Sequence, residues 1–172
     1  KSNAAKIVID HHEEPKEFAD SYAVDTNASS TGEIISRMLK SWNIVPDKDT
    51  TQALYTAIMT DTGSFRFPRT TPEVHKIIAY LIENGADPVQ CYEEVYNRMP
   101  LNKAHLLGRA YSSIETFYEG RLAVMMLKRE DFLETESREG DTEDIVEKIL
   151  SVKGVTAGVM LSDPPDSDTI RM

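Results

Sequence analysis

Cysteine is nearly absent. Cys91 stands alone in 172 residues, so the chain can form neither an intramolecular disulfide framework nor a thiolate zinc knuckle. A lone thiol fits a reducing compartment, which sets the expectation of a cytoplasmic protein. Positive charge is also short. Lys and Arg number 19 against 29 Asp and Glu, a formal net charge of −10. That balance argues against a basic track for long double-stranded nucleic acid. It leaves room for a small anionic substrate, provided metal ions cancel charge locally. No run of ~18 uncharged apolar residues occurs, so no membrane partner is expected. Lys1 to Asp10 carries no secretory-signal pattern. Internal repeats and low-complexity tracts are missing as well.

What remains is a composition with 40% hydrophobic residues, enough to bury a core in one domain or two small ones. Lys6-Ile7-Val8-Ile9 is a short β-branched run that reads as a buried parallel strand, and Asp10-His11-His12 follows at its carboxyl end. Open α/β sheets place ligands at that end. Pro15 and Lys16 begin a loop, and Tyr22-Ala23-Val24 suits a second strand. Ser30 and Glu33 have capping-box spacing ahead of a helix over about 31–42. Thr50 or Thr51 suits the cap of a second helix that ends near Asp61-Thr62-Gly63. Thr71-Pro72 and Asp87-Pro88 start two more.

After Pro100, the periodicity of Leu106, Leu107, Ala110, Ile114 and Phe117 predicts a helix over 101–117. Arg121 to Leu127 and Gly154 to Leu161 read as strands, with short helices between them. One helix is expected over 129–135, and another is capped at Asp141-Thr142-Glu143 and runs through Leu150. Ser162 to Asp168 reads as a hairpin turn, with a returning strand from Thr169. The expected architecture is α/β. Its parts are a domain over 1–100, a linking helix over 101–117 and a smaller α/β domain over 118–172. The abrupt ends suggest a piece of a longer protein.

Two clusters can carry chemistry. In Asp10-His11-His12, neutral imidazoles are strong ligands for Mn²⁺, Fe²⁺ or Zn²⁺, and an adjacent carboxylate can orient them. Neighbours on an extended strand point to opposite faces, so one histidine suits a metal and the other a substrate. A plain surface His-His pair or an expression artefact stays open. Asp61, near a helix C-terminus, is opposed by the helix dipole, a cost that a cation would offset. An ordinary helix-ending turn explains the same residues. The Ser29 to Glu33 helix start can bind an anion, although a plain capping box accounts for it equally well. His75 and His105 read as structural or exposed, and Cys91 as a buried small hydrophobe.

In combination these residues resemble the DHH phosphoesterase superfamily. Val8-Ile9-Asp10-His11-His12 is similar to the motif that names it, and Thr60-Asp61-Thr62-Gly63-Ser64-Phe65 to its later Asp-Thr-Gly-x-Phe motif. The Ala28 to Glu33 helix start sits between them, as it does in the family. Gly140-Asp141-Thr142-Glu143 and Lys153-Gly154-Val155 resemble the first part of a DHHA1 domain. The pairing points to the oligoribonuclease branch, whose members also hydrolyse 3′-phosphoadenosine 5′-phosphate.

The resemblance implies a C-terminal portion of a parallel-sheet DHH domain followed by an incomplete DHHA1 domain. It implies His11 and Asp61 as ligands of a two-metal Mn²⁺ site, with His12 facing the scissile phosphate and Asp10 holding the histidines from behind. Arg171 is a candidate for gripping a substrate phosphate. The implied substrates are short 5′-phosphorylated oligonucleotides or 3′-phosphoadenosine 5′-phosphate, held in a cleft between two domains. Further metal motifs upstream and a glycine-rich segment downstream would lie outside this stretch, leaving it inactive alone. An exopolyphosphatase, a cyclic dinucleotide phosphodiesterase and a non-catalytic nucleotide-binding module remain as alternatives. A homodimer is left open.

Overall fold

The structure, a computed structural model, describes residues 4–14, 18–167 and 169–172. The loop expected at Pro15 and Lys16, and Asp168 of the expected hairpin turn, lie outside the described residues. The fold is α/β and divides into two units, one ending at Arg98 and the other running Met99–Met172.

In the first unit, β1 (Ile7–Asp10) and β2 (Ser21–Val24) pair in parallel, with Ile7 opposite Ser21 and Asp10 opposite Val24. Four helices follow: α1 (Thr31–Ser41), α2 (Lys48–Asp61), α3 (Pro72–Glu83) and α4 (Pro88–Tyr96). Each starts on a side-chain cap. Ser30 Oγ accepts from the Glu33 amide at 3.0 Å, and the Glu33 carboxylate accepts from the Ser29 amide at 2.7 Å. Thr71 and Asp87 cap α3 and α4, each followed by proline at the first position, where no amide hydrogen is needed.

The start of α2 differs from the expectation. Asp47, not Thr50 or Thr51, is the cap, and its Oδ1 accepts from the Thr50 amide at 2.8 Å. Aspartate caps more strongly than threonine, and Lys48-Asp49 add no apolar signal to mark the extra turn. Thr51 is instead buried, with its hydroxyl donating to the Asp47 carbonyl. The core of this unit joins Leu54, Tyr55, Ile58 and Met59 of α2 to Val74, Ile77, Ile78 and Leu81 of α3, with Cys91 of α4 buried beside them.

The second unit holds α5 (Leu101–Ser112), β3 (Glu115–Phe117), β4 (Leu122–Leu127), α6 (Arg129–Thr135), a 3₁₀ turn (Glu139–Thr142), α7 (Ile145–Ile149) and β5 (Ala157–Ser162). The strand order is β3-β4-β5. β3 runs antiparallel to β4, and β4 runs parallel to β5 from Leu122 opposite Ala157 to Leu127 opposite Ser162.

The helix expected over 101–117 stops at Ser112, and its last three expected residues form β3. The hydroxyls of Ser112 and Ser113 donate to the carbonyls of Gly108 and Ala110, and Ser113 Oγ also accepts the Met126 amide at 2.8 Å. Serines that compete for backbone groups favour helix ends. α5 is part of this unit's core, where Leu106 and Ala110 are fully buried with Met125, Leu127, Phe132 and Ile149. α7 begins only after Asp144, since Glu139–Thr142 forms the separate 3₁₀ turn. The returning segment forms one antiparallel bridge, Ser162 with Arg171. Among the described residues no helix is long and apolar enough to cross a membrane.

Two outcomes follow for stability. A Cβ at Gly158 would lie 2.2 Å from Cγ2 of the fully buried Ile149. Gly158→Ala is therefore expected to cost about 1–3 kcal/mol in chemical denaturation, through displaced core side chains. The Thr50 amide holds the Asp47 carboxyl below its ordinary value of 3.8. A lowered folded-state pKa stabilises above the unfolded value and is lost as pH falls. Asp47→Ala should lower the melting temperature at neutral pH, and the gap to wild type should narrow below about pH 4.

Candidate metal centre

The site is built where β1 ends. Asp10 is the last residue of β1, and its carbonyl accepts the Asp25 amide at 3.0 Å, which ties it to the end of β2. Its Oδ1 accepts from three nitrogens: the His11 amide at 2.7 Å, the His12 amide at 3.2 Å and His12 Nδ1 at 2.7 Å. The His12 hydrogen bond, helped by the two amides, holds the Asp10 carboxyl below its ordinary range. A carboxylate so engaged folds the chain past the strand and fixes His12. Since Asp10 accepts, Nδ1 of His12 carries the hydrogen and Nε2 is its remaining ring nitrogen. The His12 side chain is 72% exposed. The two imidazoles touch in a tilted arrangement, with centroids 4.3 Å apart and planes at 54°.

His11 turns the other way, into the unit. Its Nε2 lies 3.4 Å from Oδ2 of Asp61, and its side chain is 13% exposed. Asp61 is the last residue of α2, fifty positions further along the chain. The structure thus brings together the two residues expected as ligands. Asp10, His11 and His12 also offer ligand atoms within 4.8 Å of one another. Asp10 Oδ1 and His12 Nδ1 are engaged with each other, and His11 Nε2 with Asp61 Oδ2 forms a separate pair of ligand atoms. Asp61 stands at the C-terminal end of a helix, where the dipole favours a cation, and its side chain is 41% exposed, open to an ion from solvent. Nitrogen and oxygen donors without sulfur suit Mn²⁺ or a similar divalent ion, so the donor set fits the group that the resemblance implies.

Asp61 is held by an unusual turn. Gly63, Ser64 and Phe65 all have positive φ, at 54°, 58° and 66°. Left-handed backbone costs non-glycine residues roughly 1–2 kcal/mol each. Thr62 supports the turn. It is fully buried, and its hydroxyl donates to the Ile58 carbonyl at 2.7 Å and accepts the Phe65 amide at 3.1 Å. The Ser64 amide bonds the Met59 carbonyl, and Arg66 Nε reaches the Gly63 carbonyl at 2.7 Å. Phe65 packs edge-on against Tyr55. Gly63 has no room for a side chain, since a Cβ would meet the Phe67 ring at 2.5 Å.

Residues the sequence reading passed over also shape the site. Arg37 of α1 pairs with Asp25 and lies 3.9 Å from Glu33, so a cation sits between two carboxylates beside the strand ends. Asp25 directly follows β2, and that polar position after a strand is the signal that could have marked it. Thr62 left no signal beyond its place next to Asp61. Arg171 lies in the second unit, where its Nη1 pairs with Glu139 Oε1 at 2.5 Å. His75 is exposed, with its ring 6.0 Å from that of Phe65.

Comparison with known proteins points the same way. The chain is 28% identical over 155 residues to the bifunctional oligoribonuclease and PAP phosphatase NrnA of Thermus thermophilus, a match covering 90% of this chain and 46% of that protein. It is 25% identical over 175 residues to NrnA of Bacillus subtilis, covering 99% and 55%. The crystal structure of an exopolyphosphatase-related protein from Bacteroides fragilis superposes with a TM-score of 0.88 at 29% identity, covering 98% of this chain and 50% of that one. The likeness is to DHH-type phosphoesterases. No protein-family model matches. The chain spans about half the length of the curated relatives it matches.

Thr62→Val keeps the shape but removes the hydroxyl. The half-buried Phe65 amide then loses its acceptor, and the expected cost is about 1 kcal/mol by denaturant titration. An unchanged midpoint would show that the turn does not depend on Thr62.

Proposed function

We propose that this chain carries part of the site of a metal-dependent phosphoesterase that hydrolyses short 5′-phosphorylated oligonucleotides or 3′-phosphoadenosine 5′-phosphate. The observation that carries the reading is the approach of His11 Nε2 to Asp61 Oδ2, 3.4 Å, from a strand end and a helix end fifty residues apart. The likeness to two proteins named oligoribonuclease and PAP phosphatase supports the choice of substrate.

His11 and Asp61 would hold a divalent ion, with Mn²⁺ the preferred metal of a two-ion site. When bound, such ions make water more acidic and neutralise phosphoryl charge. Asp10 holds the loop through three N–H donors and keeps His12 oriented through Nδ1. His12 then presents Nε2, which can donate, when protonated, to a phosphoryl or leaving oxygen. Arg171 would have to exchange Glu139 for a substrate phosphate to act as a grip. By this reading residues up to about 100 belong to a DHH domain and residues from 118 onward to a DHHA1 domain. A second reading, exopolyphosphatase, is favoured by the name of the superposed Bacteroides fragilis structure.

The test is a hydrolysis panel of 3′-phosphoadenosine 5′-phosphate, a 5′-phosphorylated dinucleotide and polyphosphate, each with Mn²⁺ and with EDTA. It is run on this chain and on a longer protein that contains it. Mn²⁺-dependent turnover of one of the first two substrates is expected from the longer protein, with little from this chain alone. Turnover of polyphosphate only would favour the second reading. Asp61→Ala and His11→Ala should each lower turnover by at least about 10²-fold, as expected for loss of an electrostatic stabiliser. Near-wild-type rates in either variant would sink the ligand assignment.

A further inference from the structure

A cavity of about 410 Å³ opens in the first unit between α2, the turn after Asp61 and α4. Its size falls in the range of small-molecule sites. Three aromatic residues line it: Tyr55 of α2, Phe65 of the left-handed turn and Tyr92 of α4. Phe65 meets Tyr55 edge-on, with ring centroids 6.0 Å apart, and Tyr92 is half-exposed. Tyr55 is only 5% exposed, yet its hydroxyl makes no hydrogen bond among the described residues. Nor is that hydroxyl sealed away, as the partnerless hydroxyls of Ser29 and Thr70 are. Burial, with Cys91 nearby, pushes the phenol above its ordinary value of 10.0, so it keeps its hydrogen at neutral pH. Buried tyrosines usually spend their O–H on a partner. Here the O–H is uncommitted in a residue that lines an apolar cavity. Two lining residues, Ser64 and Phe65, also hold left-handed backbone, at φ 58° and 66°. Backbone strain of that kind gathers at ligand sites.

We propose that this cavity is a subsite for the base of a nucleotide, an amine-bearing ring such as adenine. The assignment rests on the reading of the chain as part of a phosphoesterase that takes nucleotide substrates. Aromatic walls suit a flat ring, because every base has a π-face to stack on them. The polar groups of the lining select which part of a nucleotide enters. Among the described lining residues the one charged side chain is Glu93, whose carboxylate repels phosphate and accepts from an exocyclic amine. Tyr55, Ser64 and Asn97 can each donate to the ring nitrogens of adenine. Uracil has no amine and would turn a carbonyl oxygen toward Glu93. Ser64 stands three residues beyond Asp61, at most about 11 Å along the chain. A nucleotide covers that reach between its base and its phosphate, so one substrate can touch both places.

The experiment is NMR of the tyrosine and phenylalanine rings in the whole chain with EDTA, titrated with adenosine, uridine and phenol. None of these carries phosphate, so the result does not depend on a metal. Adenosine should saturably shift the rings of Tyr55, Phe65 and Tyr92, and bind at least about 3-fold tighter than uridine. Tyr55→Phe should weaken adenosine about 3- to 10-fold, for one lost hydrogen bond. Tyr92→Ala, at a half-exposed position, should weaken it at least about 5-fold, for one lost stacking face. Thermal melting checks that both variants are folded. Rings that adenosine does not move would overturn the proposal. So would phenol binding as well as adenosine, or adenosine affinity unchanged in both folded variants. Adenosine bound at these rings, with no hydrolysis of any panel substrate by the longer protein, would keep the base subsite and remove the phosphoesterase reading. Hydrolysis by the longer protein with no adenosine response would overturn the subsite and leave that reading standing.

Discussion

The first unit brings a strand end and a helix end together through one contact, His11 with Asp61. Asp61 places a carboxylate at the C-terminal end of α2, where the helix dipole is already negative, and His11 Nε2 stands 3.4 Å away. The capping of α2 at Asp47, the burial of its Leu54, Tyr55, Ile58 and Met59, and the hydrogen bonds of Thr62 all fix where that carboxylate stands. On the other side, the pairing of β1 with β2 and the three-fold acceptance at Asp10 fix where the imidazole stands.

The electrostatics around this contact are local and not a property of the whole chain. The net charge of −10 would repel an anionic phosphate. Near the strand ends, however, the acidic groups are individually occupied. Asp10 is held by amides and His12, Asp25 by Arg37, and Glu33 by the Ser29 amide with Arg37 close by. Among the described residues, Asp61 pairs with His11.

The two chemical clusters were legible because each sits where a local pattern breaks. The apolar run 7–9 stops at Asp10, and the helical periodicity of α2 stops at Asp61. Both breaks are set by short-range physics, strand burial and helix termination, which a sequence carries directly. The approach of His11 to Asp61 was not legible from spacing, because it depends on how the helices close over the strands. The end of α5 was missed for a related reason. Ile114 and Phe117 continue the helical period, but Ser113 finds Met126 of β4 and the chain turns into a strand. The extra turn at the start of α2 was hidden because Lys48 and Asp49 face solvent and carry no apolar mark.

The left-handed run Gly63-Ser64-Phe65 concentrates backbone strain just after Asp61. Ser64 and Phe65 each spend conformational energy to stand as they do, so a glycine at Ser64 would relax the backbone and widen the choices of the unfolded chain at once. The two effects of such a glycine on stability oppose each other. A lineage under thermal pressure would be expected to reinforce the turn from outside, through Thr62, Arg66 and the Phe65–Tyr55 contact, and to leave its strained residues as they are.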